Sequence, residues 1–212
     1  MPVLFKDVFQ NGSIIGVWHI TESVEELIQN VHLSCSESES LNSYKHENRK
    51  KQWLSYRVLI QELVGEKYDI SYSDFGKPYL NLEKKNNHIS ITHSGDHSAV
   101  IINAHSYVGI DIEKPSKRIE RVSGRFLSDD ELAFIDLGNK WDHLTICWTV
   151  KEALFKIHGN LCYDFREQII IESFSFAQSG QVNCIILGDN DQHEYCVKYT
   201  KINGFYLAYV TA

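Results

Sequence analysis

The 212 residues are 43% hydrophobic and 23% charged, a balance that fits a globular chain with a sizeable buried core. A formal net charge of −7 excludes a general nucleic-acid binder, because there is no basic surplus to displace phosphate counterions. No apolar run approaches the roughly 20 residues of a membrane span, and the N-terminus lacks the basic region and apolar stretch of a signal peptide, so the expected compartment is the cytoplasm. The cysteines, Cys35, Cys147, Cys162, Cys184 and Cys196, are scattered and form no C-x-x-C pair, which sets aside a disulfide framework or a zinc knuckle.

In chain order, Ser13 to Ile20 predicts a strand. Helical spacing follows from about Ser23 to Val31 and from about Glu47 to Val64, where Gly65 is the expected stop. Strands are predicted at Ile70 to Tyr72, near Tyr79, at His88 to Thr92 and at Ser98 to Asn103. Then the pattern restarts. Ser106-Tyr107-Val108-Gly109-Ile110 echoes Ser13-Ile14-Ile15-Gly16-Val17 at an offset of 93 residues, and helical stretches follow near Asp129 to Leu137 and His143 to His158. Gly159 should close the second long helix as Gly65 closes the first, at an offset of 94, and Trp53 and Trp148 take similar places in the two. Strand-rich sequence runs from Gln168 to Thr211. Two nearly equal offsets point to an internal duplication that breaks near Asn103 to His105, giving lobes 1–104 and 105–212 of an α+β protein. The cleft between two such lobes is the natural place for a ligand.

Asp111 and Glu113 lie two apart in a predicted strand and therefore share a face. Side by side, two carboxylates repel unless a cation is shared, and magnesium takes oxygen ligands of this kind. A strand end with two solvated acids is the plainer alternative. In Trp148 to Lys156 the helix spacing pairs Glu152 with Lys156, either as a surface ion pair or as a third acid and a phosphate-reaching lysine. Thr92-His93-Ser94-Gly95 and Gly76-Lys77-Pro78 are polar turns that can also present donors to a phosphate.

Taken together, these segments resemble the 4′-phosphopantetheinyl transferases, specifically their two-lobed, monomeric surfactin-type branch. Arg57-Val58-Leu59-Ile60 is similar to the family's R-x-L-L helix, and Gly76-Lys77-Pro78 to its G-K-P turn. Thr92-His93-Ser94 resembles S-H-S, with threonine in place of the usual serine. Gly109 to Glu113 resembles G-[IV]-D-[IV]-E, and Arg125-Phe126-Leu127-Ser128 with Glu131 resembles R-F-F-S…E. Trp148 to Lys156 resembles W-x-x-K-E-[AS]-x-x-K.

The resemblance implies an α+β fold of two pseudo-twofold-related lobes, each a helical segment packed on a small, mainly antiparallel sheet, with coenzyme A in the inter-lobe cleft. It assigns Mg2+, or Mn2+, to Asp111, Glu113 and Glu152. Arg57, Lys77, Pro78, Thr92, His93 and Ser94 would meet the 3′-phosphate and adenine-nucleotide end, and Lys156 the pyrophosphate. The second substrate would be an apo acyl or peptidyl carrier protein, whose serine hydroxyl needs a base; Glu152, directly or through a water, is the candidate. Phe126, Leu127 and Phe134 are expected either in an apolar docking patch or in the core. A non-catalytic binder of coenzyme A or a carrier, and a metal-dependent nucleotide phosphohydrolase, are the alternatives.

Overall fold

The computed structural model describes residues 3–83, 85–158, 164–188 and 191–212. They form two compact units, one of residues 1–71 and 78–105, the other of residues 72–77 and 106–212. The predicted stop at Gly159 and the cysteine at 162 lie outside the described residues.

In the first unit, strands β1 (Val3–Val8), β2 (Ile14–His19), β3 (Tyr68–Tyr72), β4 (Pro78–Leu82), β5 (Lys85–Ser94) and β6 (His97–Asn103) form a sheet ordered β1-β2-β6-β5-β4-β3. Helices α1 (Val24–Gln29), α2 (Cys35–Ser43) and α3 (Glu47–Val64) connect β2 to β3. The core is Trp53, Leu54, Val58, Leu59, Ile60 and Leu63 of α3 against Trp18, Leu80, Ile89, Val100 and Ile102 of the sheet. No Gly or Pro interrupts α3, and Gly65 ends it in the left-handed region (φ 70), as the sequence predicts.

The second unit repeats this plan. Strands β7 (Val108–Glu113), β8 (Ile169–Ile171), β9 (Ser179–Leu187), β10 (Gln192–Ile202) and β11 (Phe205–Thr211) form a sheet ordered β7-β11-β10-β9-β8. Short helices α4 (Ser123–Phe126) and α5 (Asp129–Ala133) precede the long α6 (Lys140–His158). With β1 set aside, each sheet places its first strand beside its last and then runs backwards through the others. The duplication is therefore written in topology as well as in sequence. It extends to packing: a Cβ on Gly16 would lie 2.8 Å from Leu59, and one on Gly109 would lie 1.9 Å from the Ala153 carbonyl oxygen. Glycine lets the first strand of each unit approach its long helix closely.

Three elements depart from expectation. Strand β1 was not foreseen; it lies at the sheet edge with mostly exposed side chains and little apolar alternation. Helix α2, Cys35–Ser43, buries only Leu41, so its apolar periodicity is faint; its start is marked by the Ser34–Glu37 capping box. The helix predicted to reach Leu137 stops after Ala133. Asp136 there accepts from the Gly138 and Asn139 N–H groups and starts a separate 3₁₀ turn at Leu137–Asn139.

Candidate active site

Strand β7 packs against α6, and the acids sit where the two meet. Along β7 the burial pattern makes Ile110 and Ile112 fully buried, Asp111 buried and Glu113 half-buried. Lys156 on α6 donates to Asp111 Oδ1 at 2.7 Å and to the Ile110 carbonyl at 2.9 Å. Glu152, one turn earlier on the same helix, has its pKa pushed up to about 7, first by burial and then by Asp111; Lys156 opposes the shift and Glu113 adds to it. Asp111, Glu113, Glu152 and Lys156 thus share one electrostatic environment within the second unit. The donor set is three carboxylates, a hard all-oxygen site in which Asp111 and Glu113 disfavour ionisation of Glu152, and a divalent cation would relieve that. The residues fit magnesium or manganese.

The motif residues flanking these acids form the scaffold. Lys151, adjacent to Glu152 in sequence, is fully buried; its ammonium donates to Glu131 Oε2 at 2.8 Å and to the Phe165 carbonyl at 2.7 Å. Glu131 also closes a capping box with Ser128 and accepts from the Ile171 N–H at 2.8 Å, so one carboxylate ties α5, α6 and β8 together. Trp148 packs edge-on against Phe126 at 5.0 Å and stacks on Phe165 at 5.7 Å. Phe126 (2% exposed) and Leu127 (0%) belong to the core, so the docking role offered for them gives way to packing; Phe134 is half-buried against His143 and Phe174.

Lys77, in the 72–77 segment of the second unit, is buried beside Tyr107 with its ammonium 4.4 Å from the ring centroid, and it donates to the Ile157 carbonyl in the last turn of α6. Burial lowers its pKa to about 8. A lysine there satisfies one of the carbonyls that a helix C-terminus leaves unpaired.

In the first unit, Thr92 is buried while His93 and Ser94 are half-buried at the end of β5, just before Gly95. His93 accepts from Arg49 of α3, and Gln52 of the same helix donates to the Gly95 carbonyl at 2.9 Å. The place of Arg49, three residues into a helix that packs on β5, is a tertiary fact. Arg57 is 3% exposed. Its guanidinium lies 3.3 Å from the Trp53 ring centroid, and Nε donates to Glu37 Oε1 at 3.1 Å. Nη1 donates to the Trp53 carbonyl and the Tyr56 hydroxyl. This arginine ties α3 to α2. Pro78, half-buried, opens β4.

The second unit thus carries an all-oxygen acid cluster with a lysine beside it. Residues 107–210 match the family model described as 4′-phosphopantetheinyl transferase superfamily. That matched segment holds the whole acid cluster. It is also similar to the 4′-phosphopantetheinyl transferase AcpT of Escherichia coli strain K12 and of Escherichia coli O157:H7, 29% identical to each over 116 residues. The aligned part is 52% of this chain and spans 59% of the length of those relatives.

Proposed function

We propose that the protein transfers the 4′-phosphopantetheine group of coenzyme A to a serine of an apo carrier protein, as a two-lobed, monomeric member of the surfactin-type branch. The observation that carries this is the cluster of Asp111, Glu113, Glu152 and Lys156 on adjoining faces of β7 and α6, inside the segment that matches the superfamily. Asp111, Glu113 and Glu152 would hold Mg2+ or Mn2+, which when bound neutralises charge on the pyrophosphate oxygens.

The remaining chemistry falls to the side chains. Glu152, half-buried beside Asp111, takes the proton of the carrier's serine hydroxyl, directly or through one water. The serine oxygen then forms a bond to the phosphorus that bears pantetheine. The bond from that phosphorus to the bridging oxygen breaks, and 3′,5′-ADP leaves with the electron pair. Lys156, held by Asp111 and the Ile110 carbonyl, donates to the oxygens on which charge develops. In the first unit, His93, Thr92 and Ser94 with Arg49 supply donors suited to the 3′-phosphate and adenine-nucleotide end. Arg57 acts behind them by fixing the helix from which Arg49 projects. Lys77 and Pro78 shape the turn that leads into β4.

The test is to incubate the purified protein with coenzyme A, Mg2+ and an apo acyl or peptidyl carrier domain, and to weigh the carrier by mass spectrometry. A gain of one phosphopantetheine, lost in Asp111→Ala, is the expected result. A carrier left unchanged while coenzyme A binds would mean a non-catalytic binder, and nucleotide or phosphate released without a carrier would mean a phosphohydrolase.

A further inference from the structure

A second cluster of metal-ligating groups stands in the first unit, with nitrogen as well as oxygen donors. His19 ends β2 and His97 begins β6, and the two are direct cross-strand partners. Their rings stack with centroids 4.8 Å apart and planes within 21°. Asp96 occupies the turn between β5 and β6, and its carbonyl accepts from the Ile20 N–H at 2.7 Å, which pins the turn to the end of β2. Its carboxylate is shared: Oδ2 lies 3.2 Å from His19 Nε2 and Oδ1 lies 2.7 Å from His97 Nδ1. One ligand atom from each of the three side chains lies within 4.8 Å of the others.

We infer that His19 Nε2, His97 Nδ1 and the Asp96 carboxylate bind a divalent transition-metal ion of the zinc, cobalt or nickel class. Two ligands of one such ion, each bonded at about 2.0–2.2 Å, lie about 3.3–3.6 Å apart at a tetrahedral angle. The two nitrogen–oxygen separations, 3.2 and 2.7 Å, lie under that spacing, and ring and carboxylate rotations would open them to it. Those rotations are available at the exposed side, where 34% of the His19 side chain and 56% of the Asp96 side chain are accessible. On the inner side His97 is 1% exposed and held by packing, so the Asp96 carboxylate makes the adjustment there. The ligand types select the ion: imidazole nitrogen suits zinc, cobalt and nickel, whereas magnesium and calcium prefer sites built wholly of oxygen. On binding, each coordinating nitrogen gives up its proton and the carboxylate exchanges two hydrogen bonds for the ion. The open face leaves room for water as a fourth ligand. The ion would clip β2 to the β5–β6 turn, stabilising this unit by mass action.

Cobalt(II) is the probe. The full chain, stripped with chelator and kept in excess Mg2+ to occupy the acid cluster of the second unit, is titrated with Co2+ and read by visible absorption and by thermal melting. The expected result is a saturable d–d band of a low-coordinate nitrogen and oxygen site, with a melting temperature that rises as Co2+ is added. His19→Ala, at a half-buried position, and Asp96→Asn, at an exposed one, should each weaken binding at least about tenfold, no less than the loss of an outer-shell partner costs other metal sites. Glu152→Gln should leave the band in place. Absence of the band in the wild type, or its persistence at full affinity in both first-unit variants, would overturn the inference. Loss of the band in Glu152→Gln alone would assign the ion to the acid cluster and overturn it equally. The carrier-transfer assay is independent of this result, because neither His19 nor Asp96 belongs to the proposed transfer machinery.

Discussion

Glu152 is placed where a charge is hardest to keep, and this gives the site a measurable signature. Its pKa is raised from 4.5 to about 7, so the folded metal-free chain holds a proton that the unfolded chain would release between those values. The stability gained from that proton is complete below pH 4.5 and is lost as pH rises through 7. Glu152→Gln should therefore raise the urea midpoint of the metal-free protein at pH 8 by an amount worth at most about 3 kcal/mol, and the gain should shrink toward zero as pH falls to 4.5. Parallel urea curves at pH 4.5 and pH 8 check this; an equal gain at both would show that the carboxylate is not disfavoured by its surroundings. Single residues were legible in the sequence where chemistry and spacing coincide, as for Asp111, Glu113 and Glu152. They were not legible where tertiary packing decides the role. Arg57 and Lys77 carry ordinary basic side chains in the sequence. The structure gives the first to Glu37 and the face of Trp53, and the second to the end of α6.

Strand β7 and helix α6 hold the acids in place through two contacts that tolerate little change. Gly109 sits so close to α6 that a side-chain carbon would meet the Ala153 carbonyl oxygen at 1.9 Å. Gly109→Ala must push the strand and helix apart, and we expect a loss at or above the top of the ~1–3 kcal/mol range for overpacked cores, measured by chemical denaturation. Lys151 is the second contact. Lys151→Met leaves the Glu131 carboxylate buried without its cation, an expected cost of about 3–5 kcal/mol, while Glu131→Gln with Lys151→Met should recover much of that loss. A double variant no more stable than Lys151→Met would show that the lysine acts through packing alone. The elements that could be read from sequence are those with long apolar faces or sharp stops, such as α3 with Gly65. Helix α2 was hidden because it buries one leucine, although its Ser34-to-Glu37 cap was there to be found. The motif running from Arg125 to Glu131 drew notice for its family resemblance, and its Ser128 and Glu131 serve as a cap and a buried anchor.

At the scale of the whole chain, the repeated strand order of the two sheets gives one plan that carries different side chains in each unit. The same plan, a glycine-bearing first strand under a long helix, was filled with different chemistry in each unit. In the second, the strand carries Asp111 and Glu113 beside the helix that carries Glu152 and Lys156. In the first, the corresponding strand Ile14–His19 is apolar along most of its length and ends in His19, and Arg49 of the long helix donates to His93. The offset of 93 residues made the repeat readable from the sequence, because in each unit the glycine of the first strand lies against the long helix, where a side chain would not fit. The central claim is that Asp111, Glu113 and Glu152 hold one divalent ion together. Titration with Mn2+ followed by electron paramagnetic resonance, in a His19→Ala background, addresses it directly. The account predicts a single bound ion in the second unit, with affinity reduced at least about tenfold by alanine at each of the three acids. Undiminished binding in any of those three variants would contradict it.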